Sequence, residues 1–342
     1  MSDTSVSTSN NLRKLAWEEK LFRDSMKESY FARFLGKDEG SVLQEKTQLE
    51  KQKGDKITFG LIQRLDGAGV TGTQPLEGNE EELETYDFNV ELELYRHAVR
   101  TRGSLDEKRP VWDMPSEARS ALKVWGTEKI DALTFAALQL APSKIFYNNS
   151  SAVLTATTVE ATAKSALTNA TNSLLTLDTI TKIKTWARTG GNRTQTPIRP
   201  VRIDGKEFYI MLVHPDVFAD IKMTSEYKQA NREARERGQD NPLFRNADFV
   251  WDGVIVHEHE NVSIATDGGA GSQAFARNLF LGAQAGCWAW GKRPYTIERD
   301  FDYGEKKGYS WNMMAGVKKS TFNSKDYGVL SVYSTRTNIS GL

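Results

Sequence analysis

Two of the four histidines in this 342-residue chain stand in one short run, VIVHEHEN, from Val254 to Asn261. His257 and His259 alternate there with Glu258 and Glu260. Imidazole beside carboxylate is the material of a zinc site or of an acid/base pair. Spacing decides how much of that chemistry is available. On a strand, successive side chains face opposite ways, so the two histidines share one face and the two glutamates the other. Two histidines at i and i+2 can both ligate zinc, but a third ligand must come from elsewhere. The remaining histidines, His97 and His214, are distant in sequence and nothing places them nearby. The helical pattern His-Glu-x-x-His does not occur. The plainer reading is a strand with an apolar lead, Val254 to Val256, running into a polar edge that meets solvent or a neighbour.

Other chemical signatures are weaker. GAGVTG (Gly67 to Gly72) lacks the Gly-Lys-Ser/Thr ending of a phosphate loop and enters no expected helix. GGAGS (Gly268 to Ser272) has no acidic partner at dinucleotide-binding spacing. No Gly-x-Ser-x-Gly elbow is present. The single cysteine, Cys287, lies in the apolar run GAQAGCWAWG and reads as a buried structural thiol. The acids Glu77, Glu80, Glu81, Glu82, Glu84 and Asp87 are crowded together, without the walled cleft that glycosidase carboxylates need. They read as a solvated or partner-facing charged face. The sequence therefore points away from an enzyme and implies no cofactor and no metal.

The elements that carry these residues have a distinct order. Residues 1–11 are Ser/Thr/Asn-rich. In residues 12–36, Leu12, Leu15, Phe22, Met26, Tyr30 and Phe34 fall near helical spacing and Gly36 makes a stop, so an amphipathic helical arm is expected. Residues 56–65 read as a strand. YDFNVELELYRHAVR, from Tyr86, alternates, with Tyr86, Phe88, Val90, Leu92 and Leu94 on one face. Two strands joined by a long tip form an extended hairpin, and an isolated hairpin of this kind is marginal in water unless it docks on something. Residues 113–141 carry the strongest helix signal. Asp113 or Ser116 is the cap, Pro115 lies in the first turn, and Ala118, Leu122, Trp125, Ile130, Leu133, Ala137 and Leu140 form the stripe. At about 1.5 Å per residue this is a spine of roughly 38 Å. Residues 148–175 are Thr/Ser/Ala-rich and read as irregular. TLDTITKIKTWART is a helix stopped by Gly190-Gly191. Phe208 to Val213 is a buried strand, His214-Pro215 starts a short helix, SEYKQANREARERG is a surface helix, and ADFVWDGVIVHEHENV is a strand. From Phe275 onward the pieces are strand-like. The fold class is α+β.

Bulk properties narrow the function. Lys and Arg number 45, Asp and Glu number 45, and the chain balances to zero, without the basic excess of a general nucleic-acid or membrane-surface binder. One cysteine excludes an internal disulfide and fits a reducing compartment. The polar start MSDTSVSTSNN carries no apolar signal region, and no run approaches ~18 apolar residues. A soluble protein that is made and used without crossing a membrane is expected.

This order of elements resembles the major capsid proteins of tailed bacteriophages, which have the HK97 fold, and most closely those of the N4-like podoviruses. The stretches that carry the resemblance are NNLRKLAWEEKLFRDSMKESYFARFLG, YIMLVHPDVFADIK, NPLFRNADFVWDGVIVHEHENV and LFLGAQAGCWAWGKRP. It implies an N-terminal arm over 1–47, an extended loop over 48–108, a peripheral domain with the spine helix over 109–205, an axial domain over 206–274, and return strands over 275–342. It implies hexamers and pentamers in an icosahedral shell around double-stranded DNA, assembled in the host bacterial cytoplasm. Portal, scaffolding and decoration proteins are the implied partners. Inter-subunit contacts are expected from Glu80, Glu81, Glu82 and Glu84 against Arg193, Arg199 and Arg202, or Arg232, Arg235 and Arg237, with Phe22 and Phe34 on the arm. Three rivals are an encapsulin-like nanocompartment shell, a tail or baseplate protein, and a metal-dependent enzyme using His257 and His259.

Overall fold

The computed structural model describes residues 29–47, 50, 54–62, 69–72, 75–83, 85–103, 114–149, 151, 153–167, 172–193, 196–203, 205–236, 249–269 and 273–337. The described chain enters through a 3-10 turn, Tyr30–Phe34, followed by β1 (Leu35–Gly36) and β2 (Leu43–Lys46). The hairpin strands are β3 (Lys56–Ile62) and β4 (Thr85–Glu91), and β5 (Glu93–Arg100) follows directly. The spine helix α1 (Met114–Gln139) leads to β6 (Ile145–Asn148), β7 (Leu154–Thr157), α2 (Glu160–Ala166) and α3 (Leu177–Arg193). Next come β8 (Val201–Ile203), β9 (Lys206–Val213), α4 (Pro215–Met223), α5 (Ser225–Glu236), β10 (Phe249–Trp251), β11 (Val254–Glu258), β12 (Ile264–Gly268) and β13 (Gln273–Leu281). Two long strands, β14 (Gly286–Phe301) and β15 (Lys306–Lys319), precede β16 (Thr321–Phe322), β17 (Lys325–Asp326) and β18 (Val329–Thr335).

Two sheets organise the molecule. A five-stranded sheet runs β1-β2-β14-β15-β5, and a nine-stranded sheet runs β10-β11-β9-β13-β18-β6-β7, with β12 on β13 and β8 on β9. The second sheet is therefore assembled from segments on both sides of residues 206–274. The unbroken apolar run FYIMLV in β9 follows from burial on both faces. Ile210 and Leu212 enter the core shared with α1 and the five-stranded sheet. Tyr209, Met211 and Val213 enter a second core beneath α3 and α4. Among the described residues no helix is long and apolar enough to cross a membrane.

The spine helix has 26 residues and buries Leu122, Gly126, Ile130, Phe135 and Leu138. Its stripe sits slightly off the expected one: Trp125 and Leu133 are partly buried, while Leu140 is 68% exposed beyond the helix end. The extended hairpin forms in the register Lys56↔Glu91 to Ile62↔Thr85. Its base does not hang free. Ile57, Phe88 and Val90 pack on Cys287 and Ala289 of β14, with Phe59 stacked on Phe88 at 4.9 Å.

Five expectations need correction. The helix expected to reach Gly36 is, in its described part, a single 3-10 turn that passes into extended backbone at Leu35, and residues 12–28 lie outside the described residues. The alternation that began at Tyr86 changes phase at Leu92, where the chain leaves the hairpin and joins β15. Leu94 becomes 50% exposed, while Tyr95 and Val99 pack on the core. Residues 148–175 are not irregular: they contain β7 and α2, whose apolar side chains are few but well buried, Ala163 and Leu167 among them. The strand expected from Ala247 to Val262 is, in its described part, a hairpin turning at Asp252 and Gly253, with φ of +46° and +74°. An Asp-Gly pair supplies that left-handed turn at little steric cost. Finally, α3 carries through Gly190 and Gly191, both at φ of +62°, as far as Arg193.

Candidate functional site

The alternation read from VIVHEHEN holds, with the glutamate face toward solvent and the histidine face turned inward. β11 lies inside the sheet, antiparallel to β10 and parallel to β9, with His257 opposite Leu212. Glu258 and Glu260 are exposed, His257 is buried and His259 is half-buried. The histidines look onto the 3-10 turn. His259 lies 4.3 Å from the Tyr30 ring and 4.7 Å from Phe135, and His257 lies 5.7 Å from Phe34. His259 is pinned by its backbone N–H, which donates to Val213 O at 2.9 Å, and its Nδ1 accepts from Asn261 N at 3.1 Å. Burial holds its imidazole below the ordinary histidine value. Asp131 and Glu260 act in the opposite direction, and Arg33 adds to the lowering.

Beside this cluster stands a residue that the sequence reading passed over. Asp131 is on the buried face of α1, and its carboxylate accepts from Ser29 Oγ at 2.7 Å, Tyr30 N at 3.1 Å and Phe31 N at 3.4 Å. It satisfies the amides that a helical turn leaves open at its start. The available signal was a carboxylate sharing a helix face with Phe135 and Leu138 at i+4 and i+7. Asp131, His257, His259 and the rings of Tyr30, Phe31 and Phe34 together form a latch that holds the incoming chain against the spine helix and β11. Among the described residues no group of three His, Cys, Asp or Glu is placed to hold a metal ion.

The other two histidines also have structural surroundings. His97 lies 4.7 Å from the Trp125 ring. His214 caps α4, its Nδ1 accepting from Asp216 N at 3.2 Å, and burial lowers its value with help from Arg336. Arg336 pairs with Asp216, and Thr337 N donates to Asp220 Oδ2 at 2.9 Å, so the end of β18 is tied to α4. The Cys287 thiol is pushed up to about 12 by burial, which leaves it an inert packing group.

The expected contact residues fall in different places. Glu80, Glu81 and Glu82 are exposed on the far part of the hairpin, with Glu80 Oε2 accepting from Gly78 N at 2.7 Å. Leu76 and Leu83, 64% and 55% exposed, flank them. Arg199 is exposed between Gln284 and Glu39, and Arg202 lies 3.6 Å from Glu207. Arg232 is exposed on α5. Phe34 packs inside this chain's own core. Phe22, Glu84 and Arg237 lie outside the described residues, as do the side chains of Arg193 and Arg235.

What the arrangement offers is contact surface: a latched entry, a hairpin anchored at one end, and a long spine between two sheets. A profile of the family described as phage capsid protein matches residues 4–337. The chain belongs to that family. Among the relatives of this phage capsid protein, the major capsid protein of Pseudomonas phage KPP25 is 28% identical over 372 aligned residues, covering 96% of this chain and 97% of the relative. The capsid of Ralstonia phage GP4 superposes with a TM-score of 0.77 at 26% identity, covering 92% of both chains. The capsid of cyanophage Pam1 shares the fold at a TM-score of 0.79 and 24% identity, covering 92% and 93%. The chain is thus a major capsid protein of a phage head with an HK97-like α+β fold, and its role is structural rather than catalytic. The readings as an encapsulin-like shell, a baseplate protein or a metal enzyme give way to it. Subunits of this kind build homo-oligomeric shells, and the chain's place is in the virion capsid.

Proposed function

We propose that copies of this chain form hexamers and pentamers of an icosahedral head around double-stranded DNA, assembled in the bacterial cytoplasm. The observation that carries this reading is the hairpin. Its base is packed on β14, while its far part presents Leu76, Leu83 and three glutamates to solvent. Exposed apolar groups beside a concentrated charge are the makings of an interface with another subunit. In this proposal residues 1–47 are the arm, 48–108 the loop that overlaps a neighbour, 109–205 the peripheral domain and 206–274 the axial domain, with 275–342 returning to the peripheral domain. The acidic cluster Glu80, Glu81, Glu82 and Glu84 meets a basic patch of the adjacent copy, either Arg193, Arg199 and Arg202 or Arg232, Arg235 and Arg237. Phe22 contributes from the arm. Scaffolding, portal and decoration proteins complete the head, and DNA is contacted without sequence preference. The N4-like placement within the family rests on the phrasing of the four stretches quoted above.

Negative-stain microscopy of the purified protein tests the shell directly. The variant Glu80→Lys/Glu81→Lys/Glu82→Lys tests the contact: it is expected to keep the wild-type melting curve and lose closed shells. Normal shells from that variant would sink the pairing. Nucleic-acid staining of particles from infected cells tests the DNA content.

A further inference from the structure

We propose that the cleft between β7 and α3 is a binding site for a carboxylate carried on a compact apolar body, with Lys144 as its counter-ion. The cleft encloses about 310 Å³, at the small end of ligand pockets. It follows from strand register. Phe146 pairs with Ala156 across β6 and β7, and the Phe146 side chain packs in the core under α3. Lys144 and Thr158, one step beyond the paired residues, fall on that same face and line the cleft. Trp186 of α3 closes it, edge-on to Phe146 at 4.7 Å.

Lys144 is the residue without an explanation. It is 5% exposed, yet its ammonium makes no hydrogen bond or ion pair among the described residues; only its backbone oxygen is engaged, by Ser331 N. Lys319, equally buried, shows the usual solution: it pairs with Asp326 at 2.6 Å and donates to Ala141 O at 2.9 Å. The Asp326 carboxylate acts on Lys144 from a distance, but it is committed to Lys319 and to Ser143 N. Burial of most of the side chain holds the Lys144 amine below the ordinary lysine range, with Lys325 adding to the effect, and the residue lines the cleft with no carboxylate among the described residues bonded to its ammonium. A carboxylate entering the cleft supplies the missing charge. The rings of Phe146 and Trp186 supply an apolar wall for the body that carries it. β7 is the outermost strand of its sheet, which leaves the cleft open along that side. All the residues that line the cleft belong to one subunit.

Calorimetric titration of the full-length protein with 3-phenylpropionate, and with 3-phenylpropanol as the uncharged isostere, reads the site. The acid is expected to bind. The alcohol, and the acid with Lys144→Met, are each expected to bind at least tenfold more weakly. Ala156→Trp, which fills the cleft and keeps the lysine, is expected to lose binding as well and stands in if Lys144→Met does not fold. In a parallel arm, acetic anhydride labelling read by mass spectrometry should show 3-phenylpropionate protecting Lys144 and no other lysine. Equal binding of acid and alcohol, undiminished binding by the variants, or no binding to wild type overturns the proposal. Binding to unassembled subunits but not to shells assigns the natural carboxylate to a neighbouring copy, and binding to both assigns it to a free ligand.

Discussion

Asp131 and His259 show how much a single side chain decides at the entry of this chain. Asp131→Ala leaves Ser29 Oγ and two backbone amides without their acceptor in a buried place. An unmade bond there costs on the order of 1–3 kcal/mol. Urea unfolding should show a lowered midpoint at unchanged slope, with Asp131→Asn, which keeps one acceptor oxygen, in between; an unmoved midpoint for the alanine variant would dismiss the latch. His259 adds a pH dependence of definite sign. Its folded value lies below the ordinary one because burial disfavours the cation, so below about pH 6.5 the unfolded chain takes up a proton that the folded chain resists. Stability therefore falls as pH drops through that value, stops falling below the folded one, and carries no His259 contribution above it. The groups facing the ring are Asp131 and Glu260, which oppose the effect, and Arg33, which reinforces it, with Tyr30 and Phe135 as apolar walls. His214 titrates with the same sign. His259→Leu should therefore lessen the loss of stability between about pH 7 and 5 without abolishing it; melting curves as steep in pH as wild type would assign the effect elsewhere. From sequence the histidines were legible as a pair sharing one face. Their partners were not, because the 3-10 turn and α1 lie more than a hundred residues away.

At the scale of elements, the spine helix depends on a close approach that only glycine permits. A Cβ on Gly126 would lie 2.8 Å from the Trp311 ring. Alanine ordinarily gains about 1 kcal/mol over glycine inside a helix. Overpacking against a buried ring costs about 1–3 kcal/mol, so the clash wins and Gly126→Ala should destabilise. Gly60 in β3 is the control: nothing stands within 4 Å of a Cβ placed there. Gly60→Ala should be neutral, or stabilising by about 0.4–1 kcal/mol. Denaturant midpoints of the two variants in parallel decide the matter, and a stabilised Gly126→Ala would mean that α1 does not press on β15. The elements readable from sequence were those with a strong period: the spine helix, the hairpin, the double-faced strand β9 and the His214-capped α4. The ones misread lack it. β7 and α2 are built from Thr, Ala and Ser, and the strand phase at Leu92 is set by a change of partner from β3 to β15, which no local pattern records.

For the whole molecule, the class of fold and the shell role followed from the order of segments, whereas the mixing of segments in the nine-stranded sheet did not. β6, β7, β13 and β18 reach it from both ends of the sequence, and pairing partners that far apart leave no trace in spacing. Charge is the property that the molecule carries into assembly. With 45 basic and 45 acidic residues, long-range repulsion between copies is small, and in the proposed pairing local patches such as Glu80 to Glu82 select the surfaces that meet. Such patches act over about 10 Å at 0.1 M salt and about 3 Å at 1 M. If the acidic hairpin finds a basic patch on its neighbour, raising salt across that range should slow shell formation, as followed by light scattering. The Glu80→Lys/Glu81→Lys/Glu82→Lys variant should lose that dependence together with its capacity to assemble. Apolar burial responds the other way, because excluded salts such as sulfate strengthen it. Assembly of the wild type that quickens steadily with added ammonium sulfate, even at its lowest concentrations, would therefore shift the leading contact from the glutamates to the exposed Leu76 and Leu83 beside them.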